Sequence, residues 1–130
     1  MQIGLVSDLE ILELQGNQFT GEIPDLILSL IDLQVFRVEN NKLQGPLPSQ
    51  LGALHKLKEV NLSHNQLSGL IPTQLGRLKD LVQLRLEGNM VTGTVPEEVC
   101  SLTNNEALKF LSADCGVAAK LECSCCDECF

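Results

Sequence analysis

Four stretches of the chain repeat one outline: LQGNQFTGEIP, VENNKLQGPLP, NLSHNQLSGLIP and LEGNMVTGTVP. The alignment is gapless. Asn17, Asn41, Asn65 and Asn89 recur every 24 residues, as do Gly21, Gly45, Gly69 and Gly93, and Pro24, Pro48, Pro72 and Pro96. Apolar columns keep the same phase: Leu9, Leu33, Leu57, Leu81; Leu12, Phe36, Val60, Leu84; Leu14, Val38, Leu62, Leu86; Ile27, Leu51, Leu75, Val99. This period constrains the fold more than any other feature, because units so short bury their apolar edges only by stacking on one another.

Within each unit the residues already divide by role. The L-x-L core, such as Leu12 and Leu14, alternates inward and outward as a strand must. The Asn amide can bond backbone groups of the following turn, and stacked copies would form a ladder inside the coil. Gly permits a tight bend, and Pro suits a segment that is not a central strand. The full pattern, LxxLxLxxNxLxGxIPxxLxxLxx, resembles the plant-type leucine-rich repeat over residues 3 to about 112. The resemblance implies an α/β repeat fold: a right-handed solenoid with a parallel β-sheet on its concave face and a 3-10 or irregular convex side. It also implies that Thr20, Gln44, Ser68 and Thr92 lie in a short second sheet beside the first.

Ile3, Gly4 and Val6 match the columns of Leu51, Gly52 and Leu54, so residue 1 falls in mid-repeat and Leu9, Leu12 and Leu14 are expected near an open end. Arrays of this kind need terminal caps. The expectation is therefore a carboxy-terminal part of a longer protein, with signal peptide and earlier repeats upstream. Toward the other end the register decays. Leu108 and Phe110 match strand columns, Asn105 replaces the leading Leu, and Ala113 replaces the ladder Asn. The expected organisation is four repeats plus a terminal strand over residues 1–112, then a Cys-rich cap over 113–130.

That tail is similar to the tails of leucine-rich repeat proteins of diatoms and related algae. Cys100, Cys115, Cys123, Cys125, Cys126 and Cys129 are all in the last third of the chain. C-x-C-C-x-x-C could bind zinc through thiolates. The family context and an extracellular setting favour disulfides, which would staple a segment too poor in apolar residues for a core of its own. Six cysteines allow 15 pairings. Adjacent Cys125 and Cys126 are not expected to pair with each other, and Cys100 is placed to tie the tail back to the last repeat.

The net charge of −8 argues against nucleic acid, since phosphate binding needs clustered Lys and Arg. No apolar run approaches the roughly 20 residues of a membrane helix, and MQIGLVSDLEILEL carries acids where a signal peptide would be apolar. The expected location is extracellular or the cell surface.

In this architecture the residues between the strand leucines point onto the concave face. One row reads Ile11, Val35, Glu59, Gln83, Ala107; the next Glu13, Arg37, Asn61, Arg85, Lys109; a third Gln15, Glu39, Ser63, Glu87, Leu111. Five strands about 4.8 Å apart give a face roughly 20 Å wide, enough for a short peptide or a domain edge. Arg37 with Glu39 and Arg85 with Glu87 are two residues apart on one strand, available to a partner's charges or to each other. Asn61-Leu62-Ser63 satisfies the N-glycosylation pattern, and a glycan there would obstruct the face. The repeat template supplies much of the same triplet. In the first convex segment, Leu26, Leu28 and Ile31 form a greasy patch if exposed, or tuck between turns.

Catalysis finds little support. His55 and His64 occupy variable positions of one repeat without an orienting third group, and neither a nucleotide loop nor a kinase signature is present. No cofactor is expected. Two function classes follow. One is a recognition module that binds a protein, peptide or cell-wall glycan through its concave face, within a signalling receptor or a secreted inhibitor. The other is a structural, surface-matrix or cell-wall-associated protein without a specific soluble ligand; an ice-binding form would want more regular Thr columns than Thr20, Gln44, Ser68, Thr92.

Overall fold

The computed structural model describes residues 8–105, 107–116 and 119–130; the register matches at Ile3, Gly4 and Val6 fall outside them. Each repeat forms one turn of a coil. A three-residue strand comes first: β1 (Ile11–Glu13), β3 (Val35–Arg37), β5 (Glu59–Asn61) and β7 (Gln83–Arg85). After the Asn turn a second strand follows: β2 (Thr20–Gly21), β4 (Lys42–Pro46), β6 (Gln66–Leu70) and β8 (Met90–Thr94). The chain returns through 3-10 turns at Ile27–Ser29, Ser49–Ala53 and Thr73–Arg77, and through a longer helix, α1 (Glu97–Asn105), in the last repeat. The first strands pair in parallel 24 residues apart, Leu12 with Phe36 and Phe36 with Val60. The second strands step by 22, Gln44 against Gln66 and Ser68 against Met90. Thr20, Gln44, Ser68 and Thr92 therefore share the second sheet as expected, with a two-residue stagger per turn.

The columns explain the burial. Phe36, Leu33, Leu57 and Leu62 are 0% exposed, and Leu84, Leu54 and Leu78 are 1% exposed, so the interior is a stack of aliphatic side chains in register. Asn amides carry the polar part of that interior. Asn65 Nδ2 donates to Leu62 O (3.3 Å) in its own turn and to Val38 O (3.0 Å) in the turn before, while its Oδ1 accepts from Leu43 N (3.0 Å). Asn41 and Asn89 make the same three bonds one turn away on either side. Each amide thus satisfies backbone groups that the bend removes from both sheets. Gly69 takes the bend itself at φ 81°. At Gly76 the reason differs: a Cβ there would sit 2.7 Å from Glu98 O, because consecutive convex segments pack backbone to backbone.

The last repeat departs from the expected register. β9 (Phe110–Ala113) pairs Gln83 with Phe110, Leu84 with Leu111 and Arg85 with Ser112, a step of 27 residues. The three extra residues let a helix replace the 3-10 turn, with Glu97 and Glu98 in its first turn, where the helix dipole favours acids. Leu108 (2% exposed) is therefore the leading Leu, and Leu111 and Ala113 (both 0%) point inward. The expected outward places of Ala107, Lys109 and Leu111 are corrected accordingly: Phe110 and Ser112 stand in the first two rows. Lys109 is exposed just before β9, at the level of Val82. Ala113 closes this strand instead of replacing a ladder Asn. The expected domain boundary at 112/113 falls within β9.

The tail continues the coil in shortened form. β10 (Leu121–Glu122) pairs with β8, and β11 (Glu128–Cys129) pairs with β9. Asp114 takes over from the ladder, its carboxylate accepting from Gly88 N and Asn89 N at 3.0 Å each. Asp127 clamps Leu111 through its carboxylate (2.7 Å) and its own amide (2.8 Å). Three disulfides close the end: Cys100–Cys125 joins α1 to the tail, and Cys115–Cys129 and Cys123–Cys126 lie within it. The result is a sheet in the order β1-β3-β5-β7-β9-β11 and a second in the order β10-β8-β6-β4-β2.

Candidate protein-interaction face

The six-stranded sheet holds its inward columns constant and its outward positions varied. Its observed rows are Ile11, Val35, Glu59, Gln83, Phe110, then Glu13, Arg37, Asn61, Arg85, Ser112. Gln15, Glu39, Ser63, Glu87 and Asp114 follow where the chain leaves each strand.

The charges do not pair uniformly. Arg37 makes no hydrogen bond to Glu39, although the Glu39 charge acts on it through space. Its Nε and Nη2 fork onto Glu59, 2.7 and 3.0 Å from the two carboxylate oxygens, and Nη1 reaches Glu13 at 3.2 Å. Glu13 is directly opposite on β1 and Glu59 diagonal on β5, and a diagonal neighbour is still within reach of a long side chain. The bond to Glu59 is the main reason the Arg37 guanidinium is raised above its ordinary pKa. Directly opposite Arg85 stand neutral Asn61 and Ser112, and its diagonal neighbour Glu59 is taken by Arg37. Arg85 therefore bonds Glu87 on its own chain, at 2.8 Å from Nη2, and lies 5.5 Å from the centre of the Phe110 ring. Glu87 also accepts from Ser112 Oγ at 2.6 Å. Burial pushes the Glu87 carboxyl up, but Ser112, the Glu87 backbone amide and Arg85 together outweigh it and hold the group below its ordinary value.

Several predicted contact residues are sunk into the sheet. Asn61, Ser63 and Glu87 are 8%, 3% and 2% exposed. Ser63 bonds Asn61 Oδ1 through both its amide (3.1 Å) and its hydroxyl (2.7 Å). The glycosylation triplet thus lies partly within β5, between two paired neighbours. Gln15 and Glu13 are exposed; Val35, Arg37, Glu39, Glu59, Gln83 and Arg85 are half-buried. Sequence reading missed Phe110, Ser112 and Asp114 as members of this face. The signal was present: the Leu108-to-Leu111 spacing equals that of Leu81 to Leu84.

Elsewhere, Leu26 and Ile31 are exposed on the convex side (50% and 63%), while Leu28 packs against the core. The sulfur atoms of Cys115, Cys123 and Cys126 lie within 4.8 Å of one another, each already in a disulfide. The thiolates that a zinc site needs are consumed in these bonds. Among the described residues no helix is long and apolar enough to cross a membrane.

A solenoid of parallel strands with an amide ladder and Gly-x-x-Pro turns defines a class of repeat protein. The chain belongs to the leucine-rich repeat family, whose profiles match residues 8–30 and 31–91. Among solved structures it is similar to the leucine-rich repeat ectodomain of the receptor kinase SOBIR1 from Arabidopsis thaliana (32% identity, TM-score 0.81, 93% of this chain and 62% of that one). It is also similar to the ectodomain of GASSHO1/SCHENGEN3 from the same plant, solved in complex with CASPARIAN STRIP INTEGRITY FACTOR 2 (41%, 0.77, 85% and 13%). The BIR3–SERK2 complex, again from Arabidopsis, provides a third (34%, 0.71, 92% and 63%). The chain spans less than two thirds of each of these relatives. No curated protein sequence matches it.

Proposed function

We propose that the chain is a non-catalytic recognition module that binds a protein or peptide through the outward face of the six-stranded sheet, as part of a signalling receptor or a secreted inhibitor. One observation carries this reading: the scaffold columns repeat from turn to turn while the outward rows change at nearly every strand. A constant frame with varied chemistry suits selective contact. Relatives solved with a peptide factor and as a two-protein complex support the same direction. The three disulfides and the likeness to ectodomains favour an extracellular or cell-surface location. A coating role would draw on the five-stranded sheet, where the column Thr20, Gln44, Ser68, Thr92 is only partly regular and the neighbouring positions Lys42, Gln66 and Met90 differ from turn to turn.

The test is partner selection on the intact chain, followed by Val35→Arg and Gln83→Arg. Binding is expected to fall at least tenfold in both, with unchanged thermal midpoints. A partner indifferent to both changes but lost on Leu26→Ser and Ile31→Ser would move the site to the convex side.

A further inference from the structure

Glu13, Glu39, Glu59, Glu87 and Asp114 face only Arg37 and Arg85 in the outward positions of β1 to β9. Both guanidinium groups are already engaged, Arg37 by Glu59 and Glu13, Arg85 by Glu87. Asp114 is held by backbone amides. Glu39 is left over. Its Oε2 is shielded from solvent and has no hydrogen-bond partner. A carboxylate oxygen taken from water without a donor is disfavoured until a donor or cation reaches it. Lys58 and Lys109 stand beyond the opposite ends of the strands, at the level of Val82, so they leave the Glu39 side of the face acidic.

The first row supplies the complementary chemistry. Ile11 is 56% exposed, and Val35 and Phe110 are half-buried, so apolar side chains mark both ends of that row. The middle row, whose side chains bond one another or the flanking rows, separates the apolar flank from Glu39. An extended segment lying along that middle row would direct alternate side chains to the two flanks. We propose that the face takes an extended partner segment alternating basic and apolar residues, with an Arg or Lys side chain docking on Glu39. The proposal rests on reading this face as the interaction surface, and deepens it by naming the partner's chemistry. Charge complementarity selects this occupant: the outward rows are net acidic, the chain carries −8, and a guanidinium can fork onto a carboxylate. About six residues would cross five strands, given spacings of roughly 4.8 Å between strands and 3.3 Å along the segment.

The test uses the full chain with two synthetic peptides, one alternating Arg and Val, the other with Glu in place of each Arg, in about 0.15 M salt. Only the Arg peptide is expected to bind. Glu39→Gln should weaken it about tenfold while the thermal midpoint holds or rises, and Glu39→Asp should retain binding. Equal affinity of the Arg peptide for the parent and Glu39→Gln, or no binding of it at all, overturns the proposal. Selection from a random peptide display library separates this failure from that of the wider reading. Binders lost on Gln83→Arg that lack basic residues overturn only the cationic assignment; the absence of any binder sensitive to that change overturns both.

Discussion

The first and fourth repeats of the coil are built from the same sequence phrase and reach different degrees of closure. Leu12 is 9% exposed in the first turn, whereas its counterparts Leu84 and Leu111 are 1% and 0% exposed. Among the described residues Asn17 bonds only its own turn, through Leu14 O and Gln15 O, whereas Asn65 ties two turns together. Beside the first turn lies a cavity of about 270 Å³ lined by Leu14, Phe19, Ile23, Ile27 and Phe36. The last turn is instead covered by Leu121 (3% exposed), clamped by Asp114 and Asp127, and crossed by disulfides. The repeat therefore supplies only part of each turn's stability. The neighbour supplies the rest, and where the neighbour changes, identical residues do different amounts.

The largest test of this asymmetry is the amide ladder. Asn65→Ala strands Leu43 N inside the coil and removes one of the two amide donors on Val38 O and on Leu62 O, which keep Asn41 and Asn89; it should cost about 4 kcal/mol, against about 1 kcal/mol for Asn17→Ala. Urea unfolding of the pair measures the difference; equal losses would show that the ladder acts within turns and not between them. Next comes the aliphatic column. Leu84→Ala should cost about 3–4 kcal/mol and Leu12→Ala about 1–2 kcal/mol, because the first site is already partly hydrated. Smaller again, Cys100→Ser with Cys125→Ser should remove about 2–3 kcal/mol. Hydrogen exchange should then show lost protection in α1, β9 and β11 first, with β3 and β5 little changed. Uniform deprotection would mean that the coil opens as one unit and the cap guards all of it.

The same contrast explains what was legible in the sequence. Inward columns depend on local alternation and on one fixed step, so Phe36, Leu62, Asn65 and Gly69 could be assigned from spacing alone. Ser112 and Phe110 could not while a 24-residue step was carried past Asn105, because the convex segment changes from a 3-10 turn to a helix. Only the Leu108-to-Leu111 spacing recorded the insertion. Charge pairing was less readable still. Arg37 and Arg85 each have a Glu two places on, yet only Arg85 uses it, because the choice depends on which side chains the adjacent strands present. Disulfide pairing was open on paper; it follows from β10 and β11 extending the two sheets, a topology that the tail's composition does not encode.

The smallest expected effect concerns the carboxyl-terminal side of this comparison and its response to acid. Glu87 is held below its ordinary pKa in the folded chain despite its burial. Between the folded and unfolded values, the unfolded chain binds more protons at this site, so stability rises with pH there. The Glu87 contribution is fully present above the unfolded value, about 4, and is lost as pH falls through the depressed folded value. Replacing Glu87 with Gln should flatten that part of the stability profile and leave the slope near neutrality unchanged. Ser112→Ala, which removes the 2.6 Å hydrogen bond to the carboxylate, should shift the acid limb to higher pH. The two profiles, measured by urea midpoints from about pH 2 to pH 7, decide between a charged clamp across β7 and β9 and simple packing: parallel curves for parent and Glu87→Gln would leave the carboxylate no electrostatic part in holding the last turns together.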